Sequence, residues 1–283
     1  MANIKEIKNR IESIRNTKQI TNAMKMVAAA NLRKAQDRII KARPYADVIN
    51  HMLRSIKLKN ISNKHPLLAE ATDEQVAVVI VTSDRGLCGS FNSLIIKQAM
   101  EYIKKNTKAD IICLGKKGYD YIKKRSEKTI TPYLNLFNEM DFGVSKEVAE
   151  QIIDLFLAQN YSRIDVIYNE FKSAIQQDIV IKQLLPIIPA REEETTMRDF
   201  IYEPEEETII EELGRKYIHV EIWRIMLESS AAEQGARMTA MDSATDNAVE
   251  LIETLTLKYN RARQAAITTE IIEIASGAEA IQQ

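Results

Sequence analysis

The sequence predicts an α/β chain: a long antiparallel coiled coil of the N- and C-terminal helices, with a Rossmann-like α/β domain inserted between them. Three observations predict it. Beyond Pro204 there is no proline, the only glycines are Gly214, Gly235 and Gly277, and Met238, Met241, Thr245, Ala248, Ile252, Leu255, Tyr259, Ala262 and Ala266 recur at 3–4 spacing. That is the seam of a coiled coil, since a 3.5-residue repeat keeps one face turned toward a partner helix. At the other end, Gly86 is the first glycine of the chain, and Ile4, Ile7, Ile11 and Ile14 open with the same spacing. Between these ends, short β-branched runs alternate with amphipathic segments, as in a largely parallel sheet covered by helices. The expected division is 1–60 for the first helix, 61–203 for the α/β domain and 204–283 for the last helix.

In chain order, the isoleucine stripe of the first helix meets Lys18. The spacing there predicts a break in register, with the stripe resuming as Ile20, Ala23/Met24 and Val27. Ala28, Ala29 and Ala30 are small enough for close helix approach, and Pro44 is expected to kink the helix or end its first part. The run 75–82 (QVAVVIVT) is continuously apolar, the mark of a strand buried on both faces. A loop 83–92 (SDRGLCGSFN) and a helix over 93–105 follow, then a strand 109–114 and a helix 116–125. A helix over 145–159 with Ser145 as its N-cap precedes strands 163–171 and 178–185. The segment 187–204, with prolines and a run of acids, links this domain to the last helix. Val220, Trp223, Leu227 and Ala231 carry that helix's stripe early on. A single helix over 206–276 would be about 105 Å long at 1.5 Å per residue, too long for a compact domain of this size to enclose.

A net charge of −1 conceals a strong polarity. Residues 1–60 hold fourteen Lys/Arg against four acids, and residues 203–283 hold sixteen acids against seven Lys/Arg. A basic segment alone would suggest nucleic acid, but an acidic segment of matching size favours internal pairing and no nucleic-acid partner. Cys88 and Cys113 form no CxxC pattern and read as two buried thiols. The N-terminus lacks a signal-peptide core and no apolar run reaches 18 residues, so the chain is expected to be neither secreted nor membrane-spanning.

The loop 83–92 is the place to look for phosphate binding, because it joins a strand to a helix. It carries only Gly86-x-x-Gly89, without GxGxxG or a GK[ST] ending, and 115–118 (GKKG) is no stronger. A tight turn exposing Asp84 and Arg85 is the expectation. His51, His65 and His219 lie far apart without ligand spacing. The expectation is therefore no catalytic residue, no metal and no cofactor. Two other classes stand beside this: a nucleotide-dependent enzyme, disfavoured by the missing phosphate-gripping residues, and a coiled-coil scaffold with a globular head.

Two helices flanking one insertion must run antiparallel. Pairing position 59 with 206 places position 2 near 263, so residues 264–283 should overhang. That overhang is apolar on several sides and holds three charges, unlike a solvated helix, which shows one polar face. Apart from a frayed tail past Gly277, it calls for a sleeve supplied by other chains.

The opening IKNRIESIRNTKQITNAMKMVAAANLRKAQ, the loop SDRGLCGSFN, the segment EQGARMTAMDSATDNA and the ending YNRARQAAITTEIIEIASGA resemble the gamma subunits of F-type ATP synthases, bacterial ones above all, over nearly the whole chain. The cysteine-bearing regulatory insertion of the chloroplast members has no counterpart. The resemblance implies a non-catalytic rotor shaft. Its partners would be three alpha and three beta subunits around the coiled coil, and epsilon and the membrane-embedded c-ring at the foot. The complex would sit peripherally at the cytoplasmic face of a bacterial membrane. Carried over residue by residue, it makes Arg263, Gln264, Arg85 and Met24 contacts to the alpha/beta head, and Tyr202 and Glu203 contacts to the c-ring. Ile267, Ile271 and Ile274 would line an apolar bearing.

Overall fold

The computed structural model describes residues 4–57, 66–68, 75–106, 109–125, 130–137, 140–159, 161–188 and 206–281. Helix α1 (Ile4–Lys57) is followed by β1 (Val76–Val81), α2 (Phe91–Lys105), β2 (Asp110–Leu114), α3 (Lys116–Ile122) and β3 (Ile130–Tyr133). Then come α4 (Phe142–Gln159), β4 (Arg163–Phe171), β5 (Gln177–Leu185) and α5 (Glu206–Ile281). The chain falls into two units, one of residues 28–237 and one formed by 1–27 with 238–283.

The first unit holds a five-stranded sheet in the order β3-β2-β1-β4-β5. The pairs β1–β2, β1–β4 and β2–β3 are parallel, and only β5 runs antiparallel, beside β4. This is the α/β class the sequence predicts. Central β1 is buried on both faces. Ala77, Val79 and Val81 pack with Ile152 and Ile153 of α4 and with Ile218, Ile222 and Ile225 of α5. Val78 and Ile80 pack on the other side with Ile95, Ala99 and Ile103 of α2.

Three local features go beyond or against the sequence reading. Edge strand β3 has no clear sequence signal, because ITPY is short and only half buried. Its Pro132, paired with Cys113, is tolerable where no further strand needs the missing N–H. Ser145 is not the N-cap of α4, since its Oγ donates to the Phe142 carbonyl inside the helix. Asp141 is placed to cap instead, its Oδ1 accepting the Val144 N–H at 2.8 Å. Pro44 does not end α1, which runs on to Lys57. The proline lies on the exposed face, where the carbonyl it leaves free can meet water.

The second unit is the coiled coil, and its register differs from the expected slip. Ile20 and Val27 are 60% and 61% exposed, so they are not seam residues. The heptad passes through Ile4, Ile7, Ile11 and Ile14 without interruption into Lys18, Thr21 and Lys25. Thr21 and Lys25 occupy the seam there because they have partners on α5, whereas Lys18 is exposed. The Thr21 and Thr245 hydroxyls share a 2.8 Å hydrogen bond, and Lys25 Nζ donates to Asp242 Oδ1 at 2.5 Å. Apolar periodicity alone could not see this, because the residues that keep register are the ones it discards. A polar layer fixes helix alignment, since any slip would bury those groups unpaired.

On α5 the expected seam stands: Met241 and Ala248 are buried, and Thr245, Ile252, Leu255, Tyr259 and Ala262 half-buried. The two cross-links show that α1 and α5 run antiparallel here, as predicted. Counting outward from Thr21–Thr245 puts Ile11 level with Leu255, Ile7 with Tyr259 and Ile4 with Ala262. Cysteines at positions 7 and 259 should therefore join readily under mild oxidation, as a mobility shift on a non-reducing gel. Equal cross-linking of 7 to 210 would mean another register.

Candidate functional site

Where a doubly wound sheet binds ligands, outside the carboxyl ends of its strands, this chain has filled the space with its own groups. The Asp84 carboxylate follows β1 and accepts three backbone N–H groups. Oδ1 takes those of Lys116 and Asn135, each at 3.0 Å, and Oδ2 that of Phe137 at 3.3 Å. These amides lie just past β2 and β3, with Asn135 in the left-handed region at φ 62°. They form the kind of concave nest that holds a phosphate, and a side-chain anion already sits in it. Beside it, a Cβ on Gly115 would fall 2.0 Å from the Thr82 carbonyl oxygen. The Gly118 N–H bonds Thr82 Oγ1 at 2.9 Å. The expectation of a turn exposing both Asp84 and Arg85 thus holds for Arg85 only.

The rest of the loop folds onto α5. Cys88 and Phe91 are buried with Ala232, and Phe171 and Ala236 pack around them. Asn92 ties the loop's ends by donating to Ser83 Oγ at 2.7 Å and accepting the Ser83 N–H at 3.0 Å. Close approach is possible because α5 offers Ala232, Gly235 and Ala236 on this side. A Cβ at Gly235 would stand 3.1 Å from the Ala174 carbonyl of the β4–β5 turn. Arg237 Nη2 donates to Glu233 Oε1 at 2.5 Å and to the Gly86 carbonyl at 3.2 Å. Burial pushes the Glu233 carboxyl above its ordinary value, and the Arg237 guanidinium opposes that rise. The motifs SDRGLCGSFN and EQGARM, 140 residues apart in sequence, are in contact.

The two thiols are free and buried, and burial raises Cys113 to about 12, so neither is poised as a nucleophile. His219 Nε2 lies 2.7 Å from Glu150 Oε1, and Arg215 donates to the same carboxylate at 2.7 Å, pinning α4 to α5. Among the described residues no cluster of His, Cys, Asp or Glu could hold a metal, and no helix is long and apolar enough to cross a membrane.

The remaining expected site residues lie on the coiled coil. Met24 is half-buried beside the seam, whereas Arg263 and Gln264 are exposed. Ile267, Ile271 and Ile274, at i, i+4 and i+7 on one helix face, are 46%, 61% and 72% exposed. Tyr202 and Glu203 lie outside the described residues. Sequence reasoning took Asp84 for an exposed turn residue and missed Glu233 and Arg237. The 233/237 pair had a signal, opposite charges four apart within a distinctive motif, but its partner Gly86 is distant in the chain.

The family model described as ATP synthase matches residues 3–281. A relative named ATP synthase gamma chain from Prosthecochloris aestuarii is 48% identical over 291 residues, covering 100% of this chain and 99% of that one. The chain belongs to the ATP synthase gamma-chain family. Another member, from Chloroherpeton thalassium, is 45% identical over 302 residues at 100% and 99% coverage. Solved structures share the fold. A chain of the Euglena gracilis mitochondrial ATP synthase matches with TM-score 0.70 at 20% identity, over 98% of this chain and 94% of that one. A chain from the central stalk and c-ring of the Tetrahymena thermophila enzyme matches with TM-score 0.64 at 25% identity, over 80% and 99%.

Proposed function

We propose that this gamma chain is the central-stalk rotor of a bacterial F-type ATP synthase. It couples ion-driven turning of the c-ring to conformational changes at the catalytic beta subunits, and turns in reverse during hydrolysis. The observation that carries this reading is the end of α5. Ile4 is level with Ala262, so among the described residues α1 offers no partner to the helix beyond that point, and three isoleucines there face outward. Apolar, non-directional side chains define no preferred angle, which suits a shaft turning inside a sleeve of alpha and beta subunits.

In this reading Arg263 and Gln264 are directional contacts to the head, with Arg85 and Met24 contacting it elsewhere. Residues 61–203 serve as the foot, with Tyr202 and Glu203 meeting the c-ring and epsilon bound alongside. The assembly lies peripherally at the cytoplasmic face of the membrane. A rod without threefold symmetry touches three like subunits differently, and differential contact is what moves a conformational equilibrium. Driving one catalytic site almost wholly between states takes on the order of 5 kcal/mol.

The chain itself is non-catalytic in this proposal, supported by the carboxylate that already occupies its anion nest. The tagged chain expressed in its own host should bring down alpha, beta and epsilon subunits, and alone it should give no heat with ATP. Micromolar ATP affinity in calorimetry, lost on changing Arg85 or Gly86, would overturn the non-catalytic reading.

A further inference from the structure

The helices on the two faces of the sheet differ in charge. Over one face, α4 exposes Lys146 against Glu147 and Asp154. Over the other, α2 and α3 share an apolar cluster, with Ile95, Ala99 and Ile103 of α2 and Ile122 of α3 turned inward. Their outer surface exposes Lys97, Lys116 and Lys117 along its length, and Lys104, Lys105, Lys123, Lys124 and Arg125 at one end. The acids exposed on α2 and α3 are Glu101 and Asp120. Among the described residues, no ion pair holds any of these cations. Lys104 and Lys105, in the last turn of α2, favour the helix dipole. That reason does not extend to Lys116 and Lys117, which open α3, where a cation opposes the dipole.

The topology gathers the charges. α2 ends beside the start of β2 and α3 beside the start of β3, and those two starts pair, Ile111 with Ile130. Lys104, Lys105, Lys123, Lys124 and Arg125 therefore meet at the amino end of the parallel strands. β5 finishes at the same end, with Leu185 beside Ile164 of β4. α5 passes there near its own start, where a Cβ on Gly214 would lie 3.7 Å from Ile187 Cδ1. The sequence between β5 and α5 carries Tyr202 and Glu203, the c-ring contacts of the rotor reading. On that reading, this is the end of the unit turned toward the membrane.

We propose that this cationic corner is a docking surface for the headgroups of anionic phospholipids, bringing the chain to the bilayer that holds its c-ring. Its orientation rests on the rotor reading. Lysine dominates the corner, and its compact, hydrated charge suits a diffuse field of phosphates, whereas one defined carboxylate is better gripped by the arginine fork. Each cation near an anionic leaflet adds to the attraction, which dies away within a Debye length. Tyrosines stand among the cations: Lys123 Nζ lies 5.3 Å from the Tyr119 ring centroid, and Arg125 Cζ 3.9 Å from that of exposed Tyr121. Such rings sit level with headgroups at a membrane–water interface. A diffuse contact of this kind defines no angle, so it aids assembly without locking a shaft.

The full chain would be mixed with vesicles of phosphatidylcholine, with or without phosphatidylglycerol, and the bound fraction read by flotation. Binding should be at least tenfold tighter with phosphatidylglycerol present and should vanish in high salt. Changing Lys104, Lys105 and Lys124 together to glutamine should weaken it at least tenfold. These side chains are exposed and unpaired, so the variant should keep the wild-type urea midpoint. Changing Lys34, Lys41 and Arg43 on α1 to glutamine should leave binding within twofold.

Equal binding of both vesicle types would overturn the proposal. So would loss of binding in the α1 variant alone, which would give the membrane contact to the first helix. The rotor reading fails separately: a chain that floats with anionic vesicles but brings down no alpha, beta or epsilon subunits keeps the lipid surface and loses the rotor.

Discussion

Changing Arg263 and Gln264 together to alanine is expected to lower the ATPase rate of the reconstituted head complex at least tenfold per assembled complex. Both side chains are exposed, so nothing in the chain's own packing depends on them and its folding should be unaffected. Their proposed role is in the complex, where partner subunits shield them from water. Charge-assisted hydrogen bonds contribute roughly 1.5–3 kcal/mol each under such conditions, and each 1.4 kcal/mol or so is a factor of ten in rate. Removal of residues past Gly277 should behave oppositely. A Cβ at Gly277 would meet nothing within 4 Å, and the bearing isoleucines all precede it, so turnover should change by less than twofold. A double variant of normal speed, together with a truncation that stops the motor, would reverse this division of the tip.

Gly115→Ala should be the most damaging single-methyl change in the α/β unit. Gly115 sits at φ 103°, and its new Cβ would lie 2.0 Å from the Thr82 carbonyl oxygen and 2.8 Å from that carbonyl carbon. The obstacle is backbone at the end of central β1, so it cannot rotate aside. Relief requires moving the β1 or β2 terminus, which would break the Thr82 N–H bond to the Leu114 carbonyl and the Asp84 contacts that close the nest. Strain, lost hydrogen bonds and disturbed packing together should cost more than about 3 kcal/mol. Trp223, the only tryptophan in the chain, packs edge-on to Phe142 in the same unit with centroids 6.1 Å apart. Its fluorescence should therefore show a much lower urea midpoint or an insoluble variant. A midpoint close to wild type would mean that the β1–β2 ends can yield. Gly277→Ala is the companion control and should be neutral or slightly stabilising, since alanine favours helix by about 1 kcal/mol over glycine.

The sequence by itself determined the features that periodicity and composition encode. The two long helices, the α5 seam from Met241 to Ala262, the antiparallel register to within one residue, and the buried central strand 76–81 were all legible. Each rests on a repeat of 3.5 residues or on a continuous apolar run, and burial of that surface is the largest force acting on the chain. The tertiary structure alone decided what polar groups do when distant segments meet. Lys18 looked like a break in the stripe until Thr21 and Lys25 were seen to carry the register on, with Thr245 and Asp242 opposite them. Asp84 looked like a solvated turn residue until three amides from just past two later strands closed on it. Arg237 was one half of a helical ion pair until the Gly86 carbonyl arrived from 151 positions away. A hydrophobic pattern is local and repeats, so a sequence displays it. A hydrogen bond is directional and joins single atoms, so its partner is known only when the fold has brought that partner within 3 Å or so.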